Sequence, residues 1–233
     1  MRPMCTRQMR GFGLAAALVA GALLMPGPWP PTSKATPAAT EIVDVVAVDA
    51  GGQATGGYRE VHSTDDPNFV APVSGCESSP AAVANNIYYC SPSAAAADVC
   101  WPSTQRTLLC LGDDWNKDLH RVSPDDVLPQ VRPTSTPEPF ALLLDDGSRC
   151  RLRNGGAWGG RDDGLVGYYG CLDGAPIVLG PSDPKPGQSA IDRSQPQWTV
   201  RVGDLGAGDP HLPPPQIRRV VTAWFAGSAT IPA

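Results

Sequence analysis

The stretch Asp114-Trp115-Asn116-Lys117-Asp118 places side-chain oxygens at the first, third and fifth positions of a calcium-binding loop, and Asp125 falls at the twelfth. Calcium is held by carboxylate, amide and backbone oxygens spaced in this way. Two departures weigh against the assignment. Leu119 occupies the sixth position, where the sharp turn calls for glycine, and Asp125 is shorter than the glutamate that usually closes such a site. The competing reading is a solvated acidic turn. The expectation is therefore a domain with no cofactor, and calcium is the alternative.

Two other groups could recognise a ligand. Arg149, Arg151 and Arg153 alternate along one stretch, with Tyr168 expected opposite Arg153. A basic stripe of this kind suits an anionic glycan or a phosphate. Asp145, Asp146, Asp162 and Asp163 lie close in sequence, so cross-strand ion pairs and a cation–π contact are the simpler account. Trp158 stands alone within Gly155-Gly156-Ala157-Trp158-Gly159-Gly160. Such a ring either stacks on a sugar or a partner, or folds back on its own hairpin to bury its large surface.

Acid–base and nucleophilic chemistry has few candidates. His62, His120 and His211 sit in unrelated contexts, and the chain contains no G-x-S-x-G, H-E-x-x-H or S-x-x-K motif. Neighbouring acids such as Asp113 and Asp114 would support glycoside hydrolysis only if folding set two carboxyls across a cleft. Cysteine chemistry points to structure instead. Cys76, Cys90, Cys100, Cys110, Cys150 and Cys171 form an even set with none of the close pairs a zinc site uses. Disulfides are the expected state.

These residues are carried by a meander running from Phe140 to Leu179. Asp146-Gly147 reads as a two-residue hairpin turn, Asp173-Gly174 as a second, and the Gly-rich stretch from Asn154 to Gly164 as a longer loop between them. This register sets Leu143 opposite Cys150, Ala141 opposite Leu152, Cys150 opposite Cys171, Leu152 opposite Tyr169 and Tyr169 opposite Val178. Side chains alternate along a strand, so Leu143, Cys150, Leu152, Tyr169, Cys171 and Val178 are expected on one face. Facing cysteines lie within disulfide reach, which predicts a Cys150–Cys171 bond and leaves Cys76, Cys90, Cys100 and Cys110 to pair among themselves.

The composition agrees with many short elements. Of 233 residues, 26 are proline and 25 glycine, while aromatics make up only 6%. The expected fold is mainly β: an antiparallel meander forming a small sandwich or partly closed barrel, beside a disulfide-rich lobe of loops and strands. Residues 1–38 read as a signal peptide. A basic start precedes the apolar run Phe12–Met25, which is shorter than the ~20 residues a spanning helix needs, and a small-residue cleavage site follows Ala38. Residues 39–75 read as a tether with one edge strand and residues 76–128 as the cysteine-rich lobe. Residues 129–139 form a stiff proline-rich linker, and residues 140–233 the meander lobe. The formal charge of -5 becomes more negative once the cationic start is set aside. An acidic body of this kind excludes nucleic acid as a partner.

The strings YYCSPSAAAADVCW, LDDGSRCRLRNGGAWGGRDDGLVGYYGC, IDRSQPQWTV and VVTAWFAG, which span roughly residues 86–227, resemble a group of exported proteins of high-GC actinobacteria, mycobacteria included. The resemblance implies export and carries over no active-site residue. The expected function is that of an exported, extracellular or envelope-associated binding or structural domain. Its partner would be an envelope component or a secreted protein, with no membrane span once the signal is removed. An extracytoplasmic hydrolase with carboxylates from distant loops and a calcium-stabilised structural domain are the alternatives.

Overall fold

Pairing of fourteen short strands generates two closed sheets. In the computed structural model, the described residues are 38–62, 70–92, 96–153, 160–172, 176–185, 188–206 and 211–229. The expected signal peptide, the Asp173-Gly174 turn and Trp158 lie outside them. The chain enters through β1 (Glu41–Val45). It then forms β2 (Arg59–Glu60), β3 (Ala71–Ser78), β4 (Tyr88–Ser91), β5 (Cys100–Pro102), β6 (Leu108–Asp113) and β7 (Asp118–Pro124). Strands β3 to β7 close into a ring because β7 pairs antiparallel with β6 along one edge and parallel with β3 along the other.

The second sheet contains β8 (Ala141–Leu144), β9 (Arg149–Leu152), β10 (Leu165–Cys171), β11 (Ile177–Pro181), β12 (Ile191–Asp192), β13 (Thr199–Gly203) and β14 (Gln216–Ala226). Here the ring runs β8-β9-β10-β11-β13-β14, and β14 closes it by pairing with both β13 and β8. Strand β12 adds to β13, and β1 lies parallel to the far half of β14. The mainly β expectation is thus met by two barrels. Closure leaves few free edges, which suits a chain with so many short strands.

The stretch expected as a tether is integrated into both sheets. It supplies β1 to the second sheet, and β2 with the start of β3 to the first. Thr40 pins its beginning. The Thr40 hydroxyl donates to the Val220 carbonyl at 2.8 Å and accepts from the Trp198 amide at 2.8 Å. The proline-rich segment is not a spacer either. Its carbonyls at Pro129 and Arg132 accept from Tyr88 and Ser78 of the first barrel, and those at Pro137 and Pro139 accept from Arg193 and Tyr169 of the second. It is strapped along both.

One register differs from the expected one. Leu142 faces Cys150 and Ala141 faces Arg151, so the β8–β9 hairpin is shifted by one residue. The turn has three residues, not two. The Leu144 amide donates to the Ser148 carbonyl at 2.9 Å, the Gly147 amide donates to the Leu144 carbonyl at 3.0 Å, and Gly147 takes φ of 85°. This is a type I turn followed by a left-handed glycine, which Asp-Gly supports as readily as the two-residue turn. A one-residue slip exchanges the two faces of a strand. Leu142 and Leu144 therefore enter the core, while Ala141 faces outward and Leu143 is only partly buried. From Cys150 onward the pairs are as the pattern requires: Cys150 with Cys171, Leu152 with Tyr169, and Tyr169 with Val178.

Three disulfides staple the rings, Cys76–Cys90 and Cys100–Cys110 in the first and Cys150–Cys171 in the second. Val73, Tyr88, Leu108 and Val122 fill the first barrel with its cysteines. Leu142, Leu144, Tyr169, Val178, Val200 and Phe225 fill the second. A third apolar cluster belongs to neither interior. Trp101, Leu109, Leu111 and Leu119 of the first barrel meet Val45, Phe140, Ala141 and Ala226 of the second sheet.

Tyr168 is part of the second core's boundary. Its hydroxyl donates to the Pro181 carbonyl at 3.1 Å, and its ring lies over Gly180, where a Cβ would meet it at 2.7 Å and the Ala190 Cβ at 3.0 Å. Only glycine fits. Gly180→Ala should destabilise the protein by about 1–3 kcal/mol through overpacking. Urea unfolding followed by tryptophan fluorescence checks this, and an unchanged midpoint would show that the Tyr168 ring can move aside.

Candidate functional site

The expected basic stripe lies along the seam between the barrels. Cys150 and Leu152 point into the second barrel, so Arg149 and Arg151 point outward, towards the first. Arg151 donates to the Gly112 carbonyl at 2.7 Å, the Leu111 carbonyl at 3.1 Å and Asp98 Oδ1 at 2.8 Å, and its Nε lies 3.7 Å from Asp114 Oδ2. Arg149 covers the Trp115 ring at 5.3 Å, and Trp115 meets Trp224 edge-on at 5.4 Å. Arg151 is thus committed to the seam, whereas Arg149 stays exposed with its guanidinium stacked on Trp115. Arg153 is exposed beside Gly170, and its amide donates to the Tyr168 carbonyl at 3.0 Å. Tyr168 itself packs as described above. The expected stripe is therefore divided: Arg151 is drawn into the seam and Tyr168 packs on its own barrel, while Arg149 and Arg153 remain exposed.

The acids near the stripe also find partners elsewhere. Asp145 pairs with Arg219 at 2.9 Å and Asp146 with Arg218 at 3.3 Å, both on β14, while Asp163 pairs with Arg161 at 2.6 Å.

The expected calcium loop does not assemble. Asp113 and Asp118 are paired across the β6–β7 hairpin, so residues 114–117 are its turn. Asp118 binds Arg59 at 2.7 Å, and Asp114 is enclosed near Arg151 and Tyr58. Strand β7 then carries Asp125 some 20 Å from that turn at the usual rise per residue. Among the described residues no cluster of three His, Cys, Asp or Glu could hold a metal ion. A strand occupies the stretch that a calcium loop would need to curl.

Charges in the seam are tightly housed. Burial pushes the Asp98 carboxyl upward, and Arg151 pulls against it. Burial and the nearby Asp114 carboxylate push Tyr58 up to about 12. A small cavity of about 160 Å³ touches Asp98, Arg151 and Tyr89. At the far end of the first barrel, Arg121 grips Glu60 with two bonds of 2.7 Å and reaches the hydroxyls of Ser103 and Thr107.

A larger concavity lies elsewhere. A groove of about 710 Å³ opens on the second barrel, between the start of β10, the strap carrying β12, and residues 136–138 of the linker. Arg193 builds one wall. It bonds Glu138 at 2.7 Å and the Pro137 carbonyl at 2.9 Å, and stacks over Trp198 at 4.8 Å. Asp192 Oδ1 accepts from the Ser194 amide at 2.9 Å. Arg161, with 1% of its side chain exposed, anchors the opposite wall through Asp163 and the carbonyls of Asp204 and Pro213.

Arg201 projects from β13 with no ion pair or side-chain hydrogen bond among the described residues. Gln188 accepts the Lys185 amide on its carbonyl oxygen, and its NH2 makes no hydrogen bond among the described residues. The groove offers a fixed polar surface with one open guanidinium. Sequence reasoning missed these residues. The alternation of Trp198-Thr199-Val200-Arg201-Val202 already puts Arg201 on the outer face, but nothing linear brings Glu138, Gln188 and Arg193 beside it.

No family model matches the chain, and comparison with curated proteins and with solved structures returns no match.

Two predictions arise from these charge networks. Arg151→Ala leaves two enclosed carboxylates without their guanidinium and should cost about 3–5 kcal/mol, with Arg151→Lys recovering part of it. Denaturant titrations of the three proteins give the answer; a loss under 1 kcal/mol would mean that Arg151 does not couple the barrels. The second concerns pH. The Arg121 hydrogen bonds hold Glu60 below its ordinary value of 4.5. A carboxyl more acidic in the folded state contributes stability above its unfolded pKa, and that contribution disappears as pH falls through the folded one. Glu60→Gln should therefore lower stability at neutral pH by about 1–2 kcal/mol and shrink the difference from the parent as pH drops below 4. Melting curves from pH 7 to 2.5 measure both.

Proposed function

We propose that this chain is an exported, envelope-associated or extracellular binding domain that holds a polar ligand or partner without transforming it. The observation that carries the reading is the groove with locked walls and an open Arg201. A preformed concavity of this size with a few convergent polar groups is the ordinary form of a recognition site. Three disulfides are compatible with an oxidising compartment. Among the described residues no helix is long and apolar enough to cross a membrane.

Two carboxyls of the groove are tuned for binding and not for acid catalysis. A general acid needs a carboxyl held above its ordinary range. Asp163 is held below it by the Arg161 guanidinium, and Asp192 is held below it by the Ser194 amide. Both remain anionic and serve the walls. Recognition then falls to Arg201 and Gln188, which have capacity to spare.

If this is correct, an Arg201→Ala, Gln188→Ala variant should lose most of its retention on isolated actinobacterial cell wall, with a melting temperature within a degree or two of the parent. Pull-down with washed wall fragments measures retention, and calorimetry checks the fold. Undiminished retention would overturn the assignment of the groove. Mass spectrometry of the secreted protein tests export, with an N-terminus near Thr40 as the expected result and an intact Met1 in a membrane pellet as the opposing one.

A further inference from the structure

A second concavity of about 340 Å³ lies on the first barrel, remote in sequence from the groove residues, where four segments converge: the 48–52 turn, Asn85-Asn86, the end of β5 with Ser103 and Thr104, and the chain after β14. Its frame is rigid. Asp49 Oδ1 accepts the amides of Gly51 and Gln53, each at 2.9 Å. Ser103 donates to the Gly52 carbonyl at 2.6 Å and accepts from Arg121, which Glu60 clamps from behind. Gly52, with φ of 77°, sits so close to Ser103 and Thr104 that a Cβ would meet the Thr104 amide nitrogen at 2.9 Å. Asn86 Oδ1 accepts the Val131 amide, and Trp101 Nε1 donates to the Gly227 carbonyl.

After these bonds are made, a particular set of groups is left over. The Asn85 amide and the hydroxyls of Thr104 and Ser228 make no hydrogen bond among the described residues, and Asp49 Oδ2 and the Asn86 NH2 are also uncommitted. Asp49 is the only charged residue of the lining, and no lysine or arginine lines it. Pro102 provides a small exposed apolar surface, with the buried Trp101 behind it.

We infer that this cavity binds a neutral saccharide. The Asn85 primary amide is a planar two-point group that can meet a pair of sugar hydroxyls at once, and Asp49 Oδ2 and the Asn86 NH2 each supply a further single contact. Hydroxyls of threonine and serine complete the polar ring, and Pro102 faces the C–H surface of a pyranose. Asp49 repels phosphate, sulfate and uronate groups, with no cation in the lining to offset it. Peptide side chains would need deeper apolar subsites than this lining supplies. The inference stands apart from the groove, since it uses none of the groove's residues.

The test is a glycan array carrying neutral oligomers of glucose, mannose, galactose, arabinose and N-acetylglucosamine, with uronic-acid and sulfated glycans and a set of neutral peptides as competitors, followed by calorimetry on the best neutral glycan. Binding to at least one neutral glycan at millimolar concentration is expected, and Asn85→Ala with Thr104→Ala should weaken it roughly tenfold. Both side chains are exposed, so the melting temperature should not move. Thr104→Trp fills the cavity mouth and should abolish binding. Failure of every neutral glycan to bind, preference for acidic glycans or peptides, or unchanged affinity in the Asn85→Ala, Thr104→Ala protein would each overturn the inference. So would neutral-glycan binding that is lost only in the Arg201→Ala, Gln188→Ala protein, which would place the sugar in the groove.

Discussion

The seam between the two barrels is the constraint on which the remainder of the structure depends. Neither ring is large enough to bury much apolar surface on its own, because small domains keep a high ratio of surface to volume. Strand β6 solves this by burying both faces. Leu108 and Cys110 point into the first barrel, while Leu109 and Leu111 point out into the shared cluster, and all four are completely buried. A strand covered on both sides reads as a continuous apolar run, which is how Leu108-Leu109-Cys110-Leu111 appears. The seam also needs polar closure, since the ends of β6 leave carbonyls facing inward. Arg151 satisfies two of them, at Leu111 and Gly112, and its charge is balanced by Asp98.

This arrangement explains why so many loops are tied down. The proline-rich segment bonds to both barrels, Thr40 locks the entry strand to β14, and Arg193 joins the same segment to the second barrel. Each tie replaces burial that a small barrel lacks. Disulfides act in the same sense, restricting the unfolded chain most where the loops they close are long. The result is a scaffold whose surface concavities have fixed walls. Rigid walls favour recognition, because little ordering remains to be done when a ligand arrives.

The two concavities differ in chemistry. The groove on the second barrel carries charge of both signs, most of it paired within the walls, with Arg201 left open. The cavity on the first barrel is almost uncharged and rich in amide and hydroxyl groups. The separation of the two in sequence, with the groove built from residues after 135 and the cavity almost wholly from residues before 105, lets each be altered without the other.

Local sequence determined a good deal of this protein. Period-two alternation and turn residues specify the β class, and once the long loop is centred so that Cys150 faces Cys171, the pairing of Leu152 with Tyr169 follows from strand geometry. The β8–β9 turn shows where that reasoning stops. Asp145-Asp146-Gly147 supports a two- or a three-residue loop with similar local energy, and burial of Leu142 and Leu144 in the closed barrel selects the longer one. Outward-facing residues show the same limit more strongly. Alternation correctly places Arg149, Arg151 and Arg201 on outer faces, yet whether an outer face meets water or another barrel depends on contacts across dozens of residues. Arg151 is drawn into the seam and Arg201 is left open because the second barrel presents β9, and not β13, to the first. Only the tertiary structure could decide that, since the energy deciding it is apolar area removed from water between segments that are distant in the chain.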